Sequence, residues 1–244
     1  MPGGKGMLTG NHILFLIIFF LSNTIMTVTG FAGTMLAMPA SILLLGVEDA
    51  RFILNVTAIL SCVFIAVQQW KYSNKKELKK ILLIMLAGMA AGTVLYRIIP
   101  MNFLLPAYGV VIVLIALKRL FLPQTTHLPQ WACIAVLIIA GIIHGMFVSG
   151  GALLVLYASL VLTDKSEFRA TIAATWAVLD PTFFVLNFDV ALWNAENLML
   201  IGLCILPLIV SVYLGNVLHQ RIGKEMFMKL TYVLLVASGL SIIL

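Results

Sequence analysis

Two glycine-rich breaks interrupt otherwise apolar sequence: "GFAG" at 30–33, and "GMFVSGG" at 145–151. Unwound backbone inside a bilayer is tolerated only where protein or a water-filled cavity satisfies its polar groups. Each break precedes a short apolar run beginning near Thr34 or Ala152. The first N–H groups of such a helix have no intrahelical partner, and the aligned peptides add about half a positive charge there. Two such ends converging would bind an anion without a buried arginine. No Lys or Arg lies away from the ends of an apolar run. Gly30, Gly33, Gly150 and Gly151 would let the anion reach the backbone and supply positive φ, while Thr34 and Ser149 would add hydroxyl donors. The rival account is close helix packing, as in the pairs Gly88/Gly92 and Gly141/Gly145. For Gly88 and Gly92 packing is the better account. For the breaks, recurrence before both short runs favours a site.

Titratable residues come next. Asp180 sits near the middle of an apolar run, before Pro181. A charge at that depth costs about 2.5–3.5 kcal/mol, so it should face the protein interior, where it is a candidate for proton coupling. Pro181 also frees a carbonyl one turn back that a neutral carboxyl can use. His144 borders the second break, and histidine is the side chain whose charge changes near neutral pH. Arg51 and Arg169 lie at membrane edges beside Asp49 and Glu167, as anchors or as entrances that attract anions. Asn55 and Thr175 occupy polar positions in matching runs, and Ser22, Asn23, Thr24, Thr27 and Thr29 offer a wet path in the first. No Walker motif, catalytic triad, converging carboxylate pair or Cys/His cluster occurs, so neither enzymatic catalysis, a metal nor a cofactor is expected. Cys62, Cys133 and Cys204 all lie in apolar runs and read as small hydrophobes.

These residues must be positioned by membrane helices. The 244 residues are 62% hydrophobic and 10% charged, with a mean hydropathy of +1.13. Soluble domains carry about 25% charged residues, so the chain reads as an all-α polytopic membrane protein. Ten apolar runs cover roughly 12–28, 34–45, 52–70, 78–98, 102–120, 131–147, 151–162, 168–188, 197–218 and 227–244. The first lacks a cleavage site and is expected to be retained. The second and seventh fall short of the roughly 17–20 residues of an easy crossing. Either each break kinks one long crossing, or the chain turns back and forms a helical hairpin. The positive-inside rule separates the two. With hairpins, the Lys and Arg residues divide 12 against 3 between the two sides; with kinks they divide 8 against 7. The hairpin reading puts both termini outside and "KYSNKKELKK" in the cytoplasm. The net charge of +6 thus reports topology, with no nucleic-acid partner implied.

A shift of 118 residues lays Gly33 on Gly151, Arg51 on Arg169 and Thr57 on Thr175. Each half is then a glycine-broken hairpin plus three helices, about 12–121 and 130–244, within one membrane domain spanning 1–244. The halves enter from opposite sides and so are two inverted repeats. Many secondary transporters are built this way, with the site at the midplane between the halves.

With "GFAGTMLAMPA", "HGMFVSGGALLVLY" and "DKSEFRATIAATW", the chain resembles the sulfite exporter TauE/SafE family of membrane carriers from about residue 12 onward. Gly145, Gly150 and Gly151 occupy the glycine motif of the second half. The first half departs, with Gly30-Phe31-Ala32-Gly33-Thr34 where the family often shows consecutive glycines. The resemblance implies carriage of sulfite, small sulfonates or related anions across a bacterial-type cytoplasmic membrane. The expected partners are a small anion, protons as coupling ion, and lipid, with self-association left open. An anion channel or a non-transporting membrane subunit would use the same segments.

Overall fold

In the computed structural model, residues 8–30, 32–121, 128–162 and 164–221 are described, together with Tyr232, Val233, Val236, Gly239, Leu240 and Ile243. Among them the chain forms nine α-helices and no strand. These are α1 (Gly10–Thr29), α2 (Gly33–Leu45), α3 (Val47–Gln69), α4 (Lys75–Ile98), α5 (Met101–Phe121), α6 (Gln130–Phe147), α7 (Gly151–Val161), α8 (Lys165–Leu186) and α9 (Ala195–Arg221). The tenth expected segment lies largely outside the described residues, although Gly239 rests its carbonyl against Gly109 of α5.

Several helices begin a few residues before their apolar runs, because their first turns are built from polar caps. Thr9 accepts from the His12 N–H, Asn74 from Glu77 N–H, and Asp164 from the N–H groups of Ser166 and Glu167. Among the described residues, six helices are long and apolar enough to cross a membrane: α1, α3, α4, α5, α6 and α9. The 22-residue α8 carries Glu167, Arg169 and Asp180 and so is less apolar, yet every residue from Phe168 to Trp176 is buried. A helix buried on all sides belongs at the centre of a bundle.

Both short helices fold back on their predecessors. Asn11 Nδ2 donates to the Leu44 carbonyl, joining the start of α1 to the end of α2. In one continuous helix those residues would stand about 50 Å apart. The second pair follows from α4. A Cβ on Gly88 would sit 2.3 Å from the Ile138 carbonyl, and one on Gly145 would sit 2.3 Å from that of Met89. Hence α4 and α6 run parallel and in close contact through Gly88, Gly92, Gly141 and Gly145. Tyr157 OH then donates to Glu77 Oε2 at 2.6 Å, returning the end of α7 to the level where α4 begins. Both breaks are hairpin turns.

Hydrogen bonds sort the chain ends of the helices onto two faces. One holds His12–Glu196, Tyr96–Glu48, Arg51–Asn187 and Asn197–Asp49; the other holds Asn74–Glu167, Tyr157–Glu77 and Arg169–Asn216. The first face carries Arg51 and Arg97, and the second carries the lysines from Lys71 to Lys80. The element starts recur as well: Gly33 and Gly151, like Val47 and Lys165, are 118 residues apart, and Lys75 and Ala195 are 120 apart. Parallel α4 and α6 have a counterpart in α9 and α1, joined at Glu196–His12 and at Gly215 against Thr27.

Candidate functional site

The two hairpin turns share one backbone course. Gly30 ends α1 at φ 85, ψ 0, and Val148, 118 residues on, ends α6 at φ 53, ψ 32. Their N–H groups close the helices on the Met26 and His144 carbonyls, as left-handed C-terminal caps do. Ala32 and Gly150 then cap the next helices with right-handed angles. Positive φ therefore falls on Gly30 and on β-branched Val148, and Gly150 does not need it (φ −69). Gly150 is required for space instead, since a Cβ there would lie 2.2 Å from the Ala140 carbonyl. Gly33 likewise seats α2 against Met26, whose Cβ would lie 2.7 Å from a Cβ placed on Gly33.

Neither Ala32 nor Gly150 gives the helix that follows a side-chain acceptor, although both helix starts are buried. Thr34 of the first turn and Gly151 of the second line the same cavity, with Met26, Ala58, His144, Val148, Trp176 and Asp180. The cavity is narrow, with room for about one water-sized molecule.

One wall is titratable. His144 Nε2 lies 3.2 Å from Asp180 Oδ1, with both side chains almost fully buried. The contact is close enough for an ion pair, and among the described residues neither ring nitrogen of His144 has a hydrogen-bond partner. The ring stacks on Trp176 at 5.0 Å and meets the edge of Phe183. Asn55 Nδ2 donates to the Asp180 backbone carbonyl, while Asn55 Oδ1 is buried without a partner.

Asn55 also lines a second cavity towards the face of Arg51, with Glu48, Phe52, Phe183 and Asn187 among its walls. Arg51 is buried there. Its Nη1 pairs with Glu48 Oε2 at 3.1 Å, its Nη2 donates to Asn187 Oδ1 at 3.4 Å, and its guanidinium lies 3.6 Å above the Tyr96 ring. On the opposite face Arg169 donates through Nη2 to Asn216 Oδ1 at 2.8 Å. Its Cγ stands 3.7 Å from where a Cβ on Gly30 would be.

Other expected residues are placed but not gathered. Ser149 Oγ donates to the Phe147 carbonyl and Thr175 Oγ1 to that of Thr171, so each hydroxyl proton is committed to its own backbone. Gly30, Gly33, Ser149, Gly150 and Thr175 line neither of these two cavities. In α1, Ser22, Thr24 and Thr27 also bond back to their own helix, as does Asn23 through Nδ2, while Asn23 Oδ1 accepts from Ser61 of α3. Trp176 and Met26 were not singled out in the sequence. Trp176 precedes Asp180 by four positions and so shares its helix face, which is the one signal that points to it.

The family model for "Sulfite exporter TauE/SafE" matches residues 14–242, nearly the whole chain. No curated protein and no solved structure matches it.

Proposed function

Because the chain belongs to the sulfite exporter TauE/SafE family of membrane transporters, we propose that it is a secondary transporter of a small inorganic or organosulfur anion, bound between its two hairpin turns. The observation that carries this reading is the shared cavity of Thr34 and Gly151, two buried helix starts without side-chain caps. Their N–H groups and dipoles offer an anion what water would otherwise supply. His144, with unpartnered ring nitrogens, adds a donor that can carry a full charge.

The recurring element bounds, the matched turn angles and the pairings of α4 with α6 and α1 with α9 all support two inverted repeats. In that arrangement the lysine-rich face is cytoplasmic. The narrow cavity implies that an anion of several atoms enters only when the hairpins part. Bonds near both faces, Tyr96–Glu48 on one and Tyr157–Glu77 on the other, favour alternating access over a standing pore.

Asp180 is the proton-coupling residue in this scheme. An anion arriving at His144 takes the place of the Asp180 carboxylate beside the ring, and Asp180 takes up a proton as it is displaced. Net movement of the anion then requires a proton. Arg51 and Arg169 serve the two entrances.

The test is thermal stabilisation of the purified protein by sulfite, sulfate, sulfoacetate, taurine and thiosulfate. Stabilisation by one or more of the sulfur anions, lost in His144→Gln, is the expected result. No stabilisation by any of them, together with copurification of a defined enzyme, would favour a non-transporting subunit.

A further inference from the structure

Arg51 and Arg169 occupy the same register, 118 residues apart, but their surroundings differ. Arg51 has a carboxylate, Glu48, at 3.1 Å. Among the described residues each has a buried Nε without a partner, but Arg169, 8% exposed, has no carboxylate, and its one hydrogen bond goes to a neutral amide, Asn216. The acids closest in sequence are used elsewhere. Glu167 Oε1 accepts from Asn74 Nδ2 at 2.7 Å, and Asp164 Oδ1 caps α8. A buried guanidinium without an anion is costly, and removing that cost is a driving force for binding one.

We propose that Arg169 and Asn216 form an anion-binding site on the lysine-rich face. There a small oxyanion is held before it enters the central cavity. This rests on the transporter reading and adds a site and a direction to it. The planar fork of Arg169 presents paired N–H groups that match two oxygens of an oxyanion, which a lysine would not do. Asn216 holds one nitrogen of the fork and leaves Nε for the ligand. The lysines between Lys71 and Lys80 share this face and raise the local concentration of anions. Arg51 cannot act in the same way while Glu48 neutralises it, so loading from the lysine-rich face is the favoured direction.

The experiment uses oriented proteoliposomes and labelled sulfite as probe. Asn216→Asp places a carboxylate beside Arg169, as Glu48 stands beside Arg51; Arg169→Gln removes the charge. For both variants the half-saturating sulfite concentration on the lysine-rich face should rise about ten-fold or more, with less than about two-fold change on the other face. An unchanged value on the lysine-rich face, in protein that elutes as wild type does, would overturn the proposal. It would show that Arg169 is an interfacial anchor or holds a lipid phosphate. An equal rise on both faces would also overturn it. Wild-type protein that moves no sulfite would instead sink the transporter reading itself, so the two failures are distinct.

Discussion

His144 and Asp180 stand 3.2 Å apart in the protein interior, one on the arm of the second hairpin and the other on the central helix α8. Asn55 of α3 donates to the Asp180 backbone carbonyl, Cys62 of the same helix packs beside the carboxyl, and Trp176 stacks on the imidazole. The pair therefore ties the second hairpin to α8. Asp180→Asn keeps the shape and removes the titration. Uptake driven by a pH gradient should fall by about ten-fold or more, the equivalent of one lost charge-assisted contact, while anion exchange without a gradient continues. Undiminished gradient-driven uptake in that variant would make Asp180 a structural residue.

Topology can be read with two cysteines in a background lacking Cys62, Cys133 and Cys204. Lys76 and Asn194 are both exposed, and neither side chain is a partner in the interhelical bonds described above. An impermeant thiol reagent should label them from opposite sides of the membrane. Labelling from one side would contradict the inverted arrangement.

Packing between α4 and α6 depends on glycine rather than on sequence hydrophobicity. A Cβ on Gly88 would sit 2.3 Å from the Ile138 carbonyl, whereas one on Gly202 would meet nothing within 4 Å. Gly88→Val should lower stability by about 1–3 kcal/mol or more, visible as a lower Tm in detergent, since overpacked contacts force backbone shifts. Gly202→Val should leave Tm nearly unchanged apart from a small propensity effect. Equal losses for the two would show that the α4–α6 contact is looser than described.

Much of this architecture was legible in the chain. The nine described helices coincide with nine of the ten apolar runs, and the two glycine-rich breaks are where the chain turns back. Three things were not legible. Helix starts at Val47 and Lys165 are polar, so hydropathy begins counting too late. Hydroxyls such as Ser149 and Thr175 have two competing uses, and sequence does not say that their own backbone wins. Positive φ was assigned to glycine by residue type, yet tertiary packing imposes it on Val148, whose side chain is 1% exposed. Asn216 and Tyr96 could not be matched as partners of Arg169 and Arg51 without the fold, because Tyr96 and Asn216 are 120 residues apart where the two arginines are 118 apart.

Thr34 is the cavity residue most open to a clean substitution. Thr34→Val keeps volume and removes one hydroxyl at the start of α2. It should raise the half-saturating anion concentration by about three- to ten-fold from both faces, the usual worth of one hydrogen bond to a charged group. A change confined to one face would place Thr34 at an entrance and not at the shared site.

The account stands on an anion lying between the two hairpin turns. Selenite, a heavy analogue of sulfite with an anomalous signal, locates it directly by diffraction from crystals of the full chain. The predicted result is a selenium peak in the cavity bounded by Thr34, His144, Gly151 and Asp180, with or without a second peak at Arg169. Peaks at Arg51 or Arg169 alone, with that cavity unchanged in size and without selenium, would contradict it.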